Sequence, residues 1–187
     1  EENYDLRNAY AVQVNIGKAQ QLNVKGSAYL LAWAPNSQQL AISTAPTGSV
    51  DDSYMKQTIY VVDAAGKNVT ATINHQGKLG QFVWSPDNKN IAIVGAYDLN
   101  DPTDGSLAIV SAQGGKPTII DGDFKGKYES IIWKNKDINF LASEGTQSVL
   151  GTISADGKTK KTIYKATEQH ITSFSISEKG LMSFTAN

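Results

Sequence analysis

The sequence predicts an all-β protein with the architecture of a β-propeller, built from four-stranded antiparallel blades and holding about four blade-equivalents. Two repeating patterns support this prediction: an aromatic hairpin motif that returns every 43 to 51 residues, and a strand–turn–strand element between its copies. Four short strands in each period of this length are typical of propeller blades. A β-sandwich is the competing architecture, but it would not require such a period. No window has the apolar spacing of a full helix, which excludes helical repeats.

The clearest copy of the hairpin motif is FVWSPDNKNIAIV at 82–94. Its two ends alternate apolar and smaller residues, with Phe82 and Trp84 before the turn and Ile91 and Ile93 after it. A period of two residues is the signature of a strand with one buried face. The stretch therefore predicts two antiparallel strands joined by a tight turn.

The turn of this hairpin has residues suited to its backbone angles. Pro86 fixes φ near the value that the second turn position needs, and the side chain of Asp87 can bond to nearby backbone. Asn88 tolerates the left-handed conformation that closes a bulged hairpin. We therefore expect Asn88 to have a positive φ.

Three further copies of the motif complete the repeat. The four copies are AWAPNSQQLAIS at 32–43, VWSPDNKNIAIV at 83–94, IWKNKDINFLAS at 132–143, and a degenerate copy, SFSISEKGLMSFTA, at 173–186. Trp33, Trp84 and Trp133 occupy one fixed place, which Ile176 takes in the last copy. A fixed place in the repeat favours packing between neighbouring blades over an aromatic binding platform.

A second element lies between the hairpins, with a glycine at its turn. Its copies are AYAVQVNIGKAQQLNV at 9–24, TIYVVDAAGKNVTATI at 58–73, SLAIVSAQGGKPTII at 106–120 and VLGTISADGKTKKTIY at 149–164. The turn glycines are Gly17, Gly66, Gly115 and Gly157, where a positive φ is needed. Each period thus supplies four strands, which we name a, b, c and d.

These strands predict one propeller domain or fragment over residues 1–187. It comprises strands c and d at 9–24, blades at about 28–73, 79–120 and 128–165, and strands a and b at 171–187. The two incomplete ends leave two arrangements open. They complete one blade and close a four-bladed ring, or the chain is a segment of a larger propeller with exposed strand edges.

Antiparallel neighbours place the b–c and d–a connections on one face, where two b–c connections are long. Long loops on a rigid scaffold are where binding residues usually lie. Asp51 and Asp52 with Tyr54 in the first loop could attract a substrate amine or contact a neighbouring domain, although the sequence favours an ordinary solvated loop. The candidate binding residues on this long-loop face are Asp51, Asp52, Tyr54, Asp98, Asn100 and Asp101.

The second long loop, DLNDPTDG, also invites a calcium interpretation, because Asp98, Asn100, Asp101 and Asp104 supply hard oxygen ligands. It departs from the EF-hand order, which places glycine where Thr103 stands. Asx-turns that hold a surface loop are the interpretation that the sequence favours. No metal site and no cofactor are predicted.

Composition excludes several functions. The 17 Lys and Arg against 18 Asp and Glu leave no basic footprint for nucleic acid, and no apolar run approaches the length of a membrane span. The absence of cysteine excludes thiolate chemistry. No Gly-x-Ser-x-Gly elbow occurs, and His75 and His170 are predicted to be isolated surface imidazoles. No catalytic residue is predicted in this chain.

The motifs resemble a known family. The Trp-Ser-Pro-Asp hairpin at 84–87, and its substituted copy at 33–36 with IYVVDAAG after it at 59–66, resemble the repeats of TolB-like proteins and of prolyl oligopeptidase family serine peptidases. DDSYM at 51–55, GKLG at 77–80 and DLNDPTDGSL at 98–107 are similar to the N-terminal propeller of bacterial, exported acylaminoacyl-peptidase and dipeptidyl-peptidase members.

The resemblance implies that the chain is a noncatalytic propeller segment of such a peptidase, gating peptide access to an α/β-hydrolase domain with a Ser-Asp-His triad. Its partners would then be that C-terminal hydrolase domain and a peptide substrate. The family propeller has seven or eight blades and is periplasmic or otherwise exported, although a cytoplasmic location is left open. KNKD at 134–137 and SEKG at 177–180 depart from the family's Pro-Asp turn. The alternative is a stand-alone TolB-like propeller that acts as a protein-binding scaffold.

Overall fold

Five antiparallel sheets make up the computed structural model, which describes residues 5–187, apart from the side chain of Asp101. The strands are β1 (Tyr10–Val12), β2 (Ala19–Gln21), β3 (Ser27–Trp33), β4 (Gln39–Ala45), β5 (Thr58–Asp63), β6 (Val69–Ile73), β7 (Leu79–Trp84), β8 (Asn90–Gly95), β9 (Ser106–Ser111), β10 (Thr118–Ile119), β11 (Lys127–Lys134), β12 (Asp137–Glu144), β13 (Gln147–Ser154), β14 (Lys160–Ala166), β15 (Ile171–Ile176) and β16 (Met182–Ala186). One helix, α1 (Val50–Met55), and a 3-10 turn, Asp101–Thr103, lie in loops.

Three of the sheets are complete blades whose strands follow one another in chain order. Blade 1 is β3–β6, blade 2 is β7–β10 and blade 3 is β11–β14. The first strand of blade 2 lies against the first strands of blades 1 and 3, and β15 lies against β11. Strands a are therefore neighbours, as they are when blades fan around a common axis. This arrangement confirms the predicted fold class, a partial propeller of four-stranded antiparallel blades.

The hairpin turns have the geometry that the sequence predicts. Asn88 has a φ of 63°, and the hydroxyl of Ser85 donates to the carboxylate of Asp87 over 2.6 Å. Ser37 occupies the equivalent place in the hairpin of blade 1 and has a φ of 59°. The same five-residue turn therefore forms in blade 1, where Asn36 stands in the place of Asp87. Blade 3 differs from the expected repeat, because only 135–136 connect β11 and β12, and Asn135 has a φ of 55°.

The core lies between blades rather than within them. Along β8, Ile91 and Ile93 belong to the apolar cluster shared with blade 1, whereas Ala92 and Val94 belong to the cluster shared with blade 3. Successive residues of a strand point to opposite faces, so one strand supplies both clusters. Blade 2 is consequently buried on both sides.

The tryptophans explain how blades are joined. The indole of Trp84 is 5% exposed, and its Nε1–H donates to the carbonyl of Ala32 in blade 1 over 2.8 Å. Trp133 is partly buried in the cluster between blades 2 and 3. Trp33, at the same place in blade 1, is 50% exposed because no described inner strand lies beyond it. The predicted packing between blades is thus confirmed for Trp84 and Trp133.

A glutamine makes the corresponding link on the other side of blade 2. The side-chain amide of Gln81 donates to the carbonyl of Ile131 over 3.1 Å and accepts from its N–H over 2.8 Å. Both bonds go to the backbone of the inner strand of blade 3. Blade 2 is therefore hydrogen-bonded to each neighbour through a side chain of its own inner strand.

The two incomplete ends remain separate. Within residues 5–187, β1 pairs only with β2 and β15 only with β16, so the N-terminal and C-terminal half-blades do not form a common sheet. The C-terminal half-blade stacks on blade 3, where the rings of Tyr164 and Phe184 are 5.3 Å apart. The ring is therefore open, and the four-bladed closure left open by the sequence is not adopted here. No helix in the described chain is long and apolar enough to cross a membrane.

Candidate binding site on the long-loop face

Two loops of unequal structure dominate the face that carries the b–c and d–a connections. The b–c connection of blade 1 spans 46–57, and that of blade 2 spans 96–105. In blade 3 the same connection is the two-residue turn 145–146. The long-loop face is therefore built mainly by blades 1 and 2, with the start of blade 3 at its side.

The first loop contains the helix α1, which the sequence interpretation treated as irregular. Ser49 is its N-cap, and the Ser49 hydroxyl oxygen accepts from the backbone N–H of Asp52 over 3.2 Å. The carboxylate of Asp52 accepts from the hydroxyl of Thr47 over 2.6 Å and pairs with the ammonium group of Lys56 over 2.8 Å. Ser-x-x-Asp before a short run is a known helix-start signal and could have revealed α1.

The three candidate residues of this loop, Asp51, Asp52 and Tyr54, differ in exposure. Asp52 is 8% exposed, and the hydrogen bond from Lys56 holds the pKa of its carboxyl below the ordinary value. Asp51 is exposed, and Tyr54 is 58% exposed at the edge of a cleft. Asp52 therefore stabilises the loop, and Tyr54 is the member of this group that can meet a ligand in the cleft.

The second loop is organised around Asp98. Its Oδ1 accepts from the backbone N–H of Asn100 over 2.8 Å and from the hydroxyl of Thr103 over 2.8 Å. These bonds, the backbone one foremost, lower the pKa of Asp98. Asn100 is exposed, and the side chain of Asp101 lies outside the described residues. In the described chain no three acidic, His or Cys side chains are grouped to hold a metal ion. Asp98 thus forms an Asx-turn.

A cleft of about 360 Å³ opens where three blades meet. Loop 46–57 contributes Tyr54 and Gln57, and the chain entering blade 2 contributes 78–80. The opposite wall of the cleft is formed by Asp104 and by residues 127–129 at the start of blade 3. Because its walls come from separate blades, the cleft depends on the angle between blades as well as on the loops.

The cleft carries charges of both signs. The ammonium nitrogen of Lys127 lies 3.0 Å from Oδ2 of Asp104 and 4.0 Å from Oε2 of Glu129. The hydrogen bond with Asp104 raises the pKa of Lys127. These side chains are partly exposed, so their pairing is weak enough to be exchanged for pairing with a ligand.

The floor beside these charges is rigid. The ring of Tyr128 is buried, and its hydroxyl donates to the carboxylate of Asp121. Burial, and secondarily this hydrogen bond, raises the pKa of Tyr128. Oδ2 of Asp121 is also 2.7 Å from the ammonium group of Lys160, which lies over the ring of Phe124 at 3.3 Å. The network fixes Tyr128 as a preformed wall of the cleft.

Gln57 is the polar group of the cleft that lacks a partner for one atom. Its side chain is 7% exposed, and its Nε2 donates to the carbonyl of Ser53 over 2.6 Å. Its Oε1 is buried and has no hydrogen-bond partner among the described residues. A buried acceptor without a donor costs about 1–3 kcal/mol, so a donor supplied by a ligand would recover that energy.

The cleft lies on the face that the sequence favoured, but few of the candidate residues line it, and their binding role stays a prediction. Of the candidates, Tyr54 lines the cleft, and Asp104 from the calcium pattern joins it. Gln57, Lys127 and Glu129 were missed because nothing in a single sequence shows which residues of separate blades meet. Marking the first residues of strands a, which begin at this face, would have found the last two.

Comparison with known proteins places the chain in a family. Residues 20–187 match the family described as eukaryotic translation initiation factor eIF2A. The chain belongs to this family. The match covers all three complete blades and the C-terminal half-blade. No protein in the curated collection matches the sequence.

Solved structures share the fold at low identity. A TolB protein from Agrobacterium tumefaciens is 14% identical with a TM-score of 0.60, over 83% of this chain and 56% of that one. An oligogalacturonate lyase in complex with manganese is 10% identical with a TM-score of 0.68, over 93% and 51%. A prolyl endopeptidase is 15% identical with a TM-score of 0.67, over 95% and 28%.

At these identities the likeness concerns the fold alone, and the chain spans about half or less of each of these proteins. The comparisons confirm a propeller of the TolB and prolyl-endopeptidase type, as the repeats indicated. The narrower likeness to acylaminoacyl- and dipeptidyl-peptidases stays a prediction.

Proposed function

We propose that this chain is the noncatalytic propeller of a prolyl-oligopeptidase-like serine peptidase, and that its long-loop face gates peptides on their way to a hydrolase domain. The observation that carries the proposal is the cleft between blades 1, 2 and 3, with the unpartnered Oε1 of Gln57 in its wall. The propeller likeness to a prolyl endopeptidase, over 95% of this chain, supports the peptidase setting. In this setting the parent protein is exported.

The chemistry of the cleft suits an extended peptide. A peptide presents backbone N–H groups, one of which would donate to Oε1 of Gln57 once the side chain turns this buried atom toward the cleft. The exposed ring of Tyr54 offers an apolar surface with a hydroxyl at its end, as is common at binding surfaces. Lys127 and Glu129 supply opposite charges for polar side chains or chain ends. Because a donor at Gln57 is needed, peptides should bind better than N-methylated analogues of the same sequence.

The parent protein is tested by capture from its source cells. An antibody to this domain recovers the native protein after the extract has been treated with a fluorescent fluorophosphonate, which tags activated serines. We expect a labelled species several times larger than the 20.1 kDa of this chain. An unlabelled native protein, recovered intact beside a labelled control hydrolase, contradicts the peptidase proposal.

The gating role is tested in the intact parent enzyme. Tyr54→Ala should change the ratio of kcat/KM for long and short peptides without changing kcat/KM for a minimal ester substrate. Tyr10→Ala is the matched control, since Tyr10 is an equally exposed tyrosine on the N-terminal half-blade, away from the cleft. If both variants behave like the parent enzyme with all substrates, the cleft does not gate peptides.

A second candidate function is a stand-alone scaffold that binds another protein through the same face. Membership in the eIF2A family favours it, because the family description names a translation initiation factor rather than a peptidase. The net charge of −1 is not the basic excess typical of RNA-binding domains, so we assign such a role to protein contacts. Capture of an unlabelled species near 20.1 kDa together with a stoichiometric protein partner would support the scaffold.

A further inference from the structure

A second cavity lies on the other side of blade 2 from the cleft. It measures about 230 Å³ and is lined by Ile93 and Gly95 of β8, whereas Val94 between them lines the cleft. We name it the outer cavity. Its remaining walls come from the chain after β6, the start of loop 96–105, and β9 and β10 with the chain just before β10. The two sites therefore share one strand but face different blade interfaces.

The last strand of blade 2, which borders the outer cavity, is short. β10 has two residues, whereas the corresponding strands of blades 1 and 3 have five and seven. Pro117 precedes it and has no N–H to donate to the sheet. Ile93, Ala108 and Ile119 lie side by side on β8, β9 and β10, and all three line the outer cavity.

One wall is tied to blade 1 by backbone bonds. Gly115 donates to the carbonyl of Thr72 over 3.1 Å and accepts from the N–H of Asn74 over 3.1 Å. Its φ of +111° is open to glycine and strained for other residues. The next residue, Lys116, is consequently held at the mouth of the outer cavity by a fixed backbone, although its side chain is exposed.

The opposite wall is His75, which is half-buried rather than the isolated surface imidazole that the sequence suggested. It fits because Gly95 has no side chain: a Cβ there would lie 2.8 Å from Cε1 of His75. Its Nε2–H donates to the carbonyl of Lys78 over 3.0 Å. Burial lowers the pKa of His75, so the ring is neutral at neutral pH.

The charge of the outer cavity is one-sided. Among the described residues that line the outer cavity, Lys116 carries a charge at neutral pH, and none is an aspartate or a glutamate. The inner surface is formed by small and branched apolar side chains such as Ile93, Ala108 and Ile119. An apolar pocket with one cation at its mouth complements a ligand with an apolar body and a single negative charge.

We propose that the outer cavity binds a small organic monoanion, with its carboxylate at Lys116 and its ring or branched alkyl group against Ile93 and Ala108. The volume of about 230 Å³ lies below the range of roughly 300–1,000 Å³ usual for drug-sized ligands, so the ligand is small. This site is separate from peptide binding in the cleft, and it stands whether or not the parent is a peptidase.

The test uses 3-phenylpropionate as the probe and the methyl resonances of Ile93 and Ala108 as the readout. Titration of the chain should shift both methyl signals, whereas the alcohol 3-phenylpropanol, which has the same apolar body, should bind about fivefold more weakly because it lacks the charge. Lys116→Met should weaken binding of the acid by about fivefold, the loss expected for one partly exposed ion pair. Lys116→Arg should retain the affinity.

Lys67→Met is the matched control, since Lys67 is an exposed lysine on a turn away from the outer cavity. Equal losses in Lys116→Met and Lys67→Met would overturn the proposal, because they would show a general charge effect. Failure of the Ile93 and Ala108 signals to move at about 10 mM probe, a concentration that detects even millimolar binding, would overturn it as well. Unchanged thermal unfolding of each variant shows that the comparison is made on folded protein.

Discussion

Replacing Trp84 by phenylalanine tests whether the indole joins blades 1 and 2. The change keeps an aromatic ring at a site that is 5% exposed, but it removes the donor to the carbonyl of Ala32, 2.8 Å away. The loss of this hydrogen bond contributes about 1 kcal/mol. The indole is larger than the phenyl ring by about 38 Å³, and at roughly 24 cal/mol per Å³ the cavity adds about 1 kcal/mol. We expect a loss of about 2 kcal/mol.

Trp33→Phe is the internal comparison, since Trp33 occupies the same place in the repeat and is 50% exposed. No hydrogen bond of its indole is recorded in the described chain, so this variant should lose less than about 0.5 kcal/mol. Both variants are unfolded in urea and followed by far-ultraviolet circular dichroism, with the slope m checked for constancy. Equal losses in the two variants would refute the argument that the hydrogen bond between blades, rather than tryptophan itself, provides the stability.

Three further outcomes are expected. Tyr128→Phe should lower the free energy of unfolding by about 1–3 kcal/mol, because it leaves the carboxylate of Asp121 without one donor; urea unfolding measures it. Hydrogen bonds from Lys56 and Thr47 lower the pKa of Asp52. The ionised Asp52 carboxylate therefore stabilises the fold at pH values above the ordinary pKa of an aspartate, and this stabilisation is lost as the pH falls through the lowered pKa. Asp52→Asn should abolish this acid transition in the resonances of α1. Burial lowers the pKa of His75, so on acidification the imidazole is protonated in the unfolded chain at a higher pH than in the folded chain. The free energy of unfolding should therefore fall as the pH drops below 6.5. His75→Gln should reduce this dependence of the unfolding temperature on pH.

The repeat made most of the fold predictable. The period of the aromatic hairpins predicts the blades, and the residue types of the turn predict the positive φ of Asn88. Both are local properties, because side-chain alternation and backbone preference act over a few residues. The division of residues 1–187 into one domain stays a prediction.

The site was less predictable because it is assembled from distant parts of the chain. Tyr54 and Glu129 lie 75 positions apart in sequence yet line the same cleft. The burial of His75 depends on the absence of a Cβ at Gly95, and nothing in the sequence indicates that these two residues are in contact. Long-range packing of this kind has no local signature, so the face could be predicted and its residues could not.

The hydrogen bonds that join the blades go from side chains of blade 2 to the backbones of its neighbours. Trp84 donates to the carbonyl of Ala32, and Gln81 bonds to the carbonyl and N–H of Ile131. Every residue has a main-chain carbonyl, and every residue except proline has an N–H, whatever its side chain. A neighbouring blade can therefore change its side chains at positions 32 and 131 without losing the partner atoms. Such a joint tolerates duplication and exchange of whole blades, and a designer could insert a blade of different sequence provided that its inner strand follows the same path.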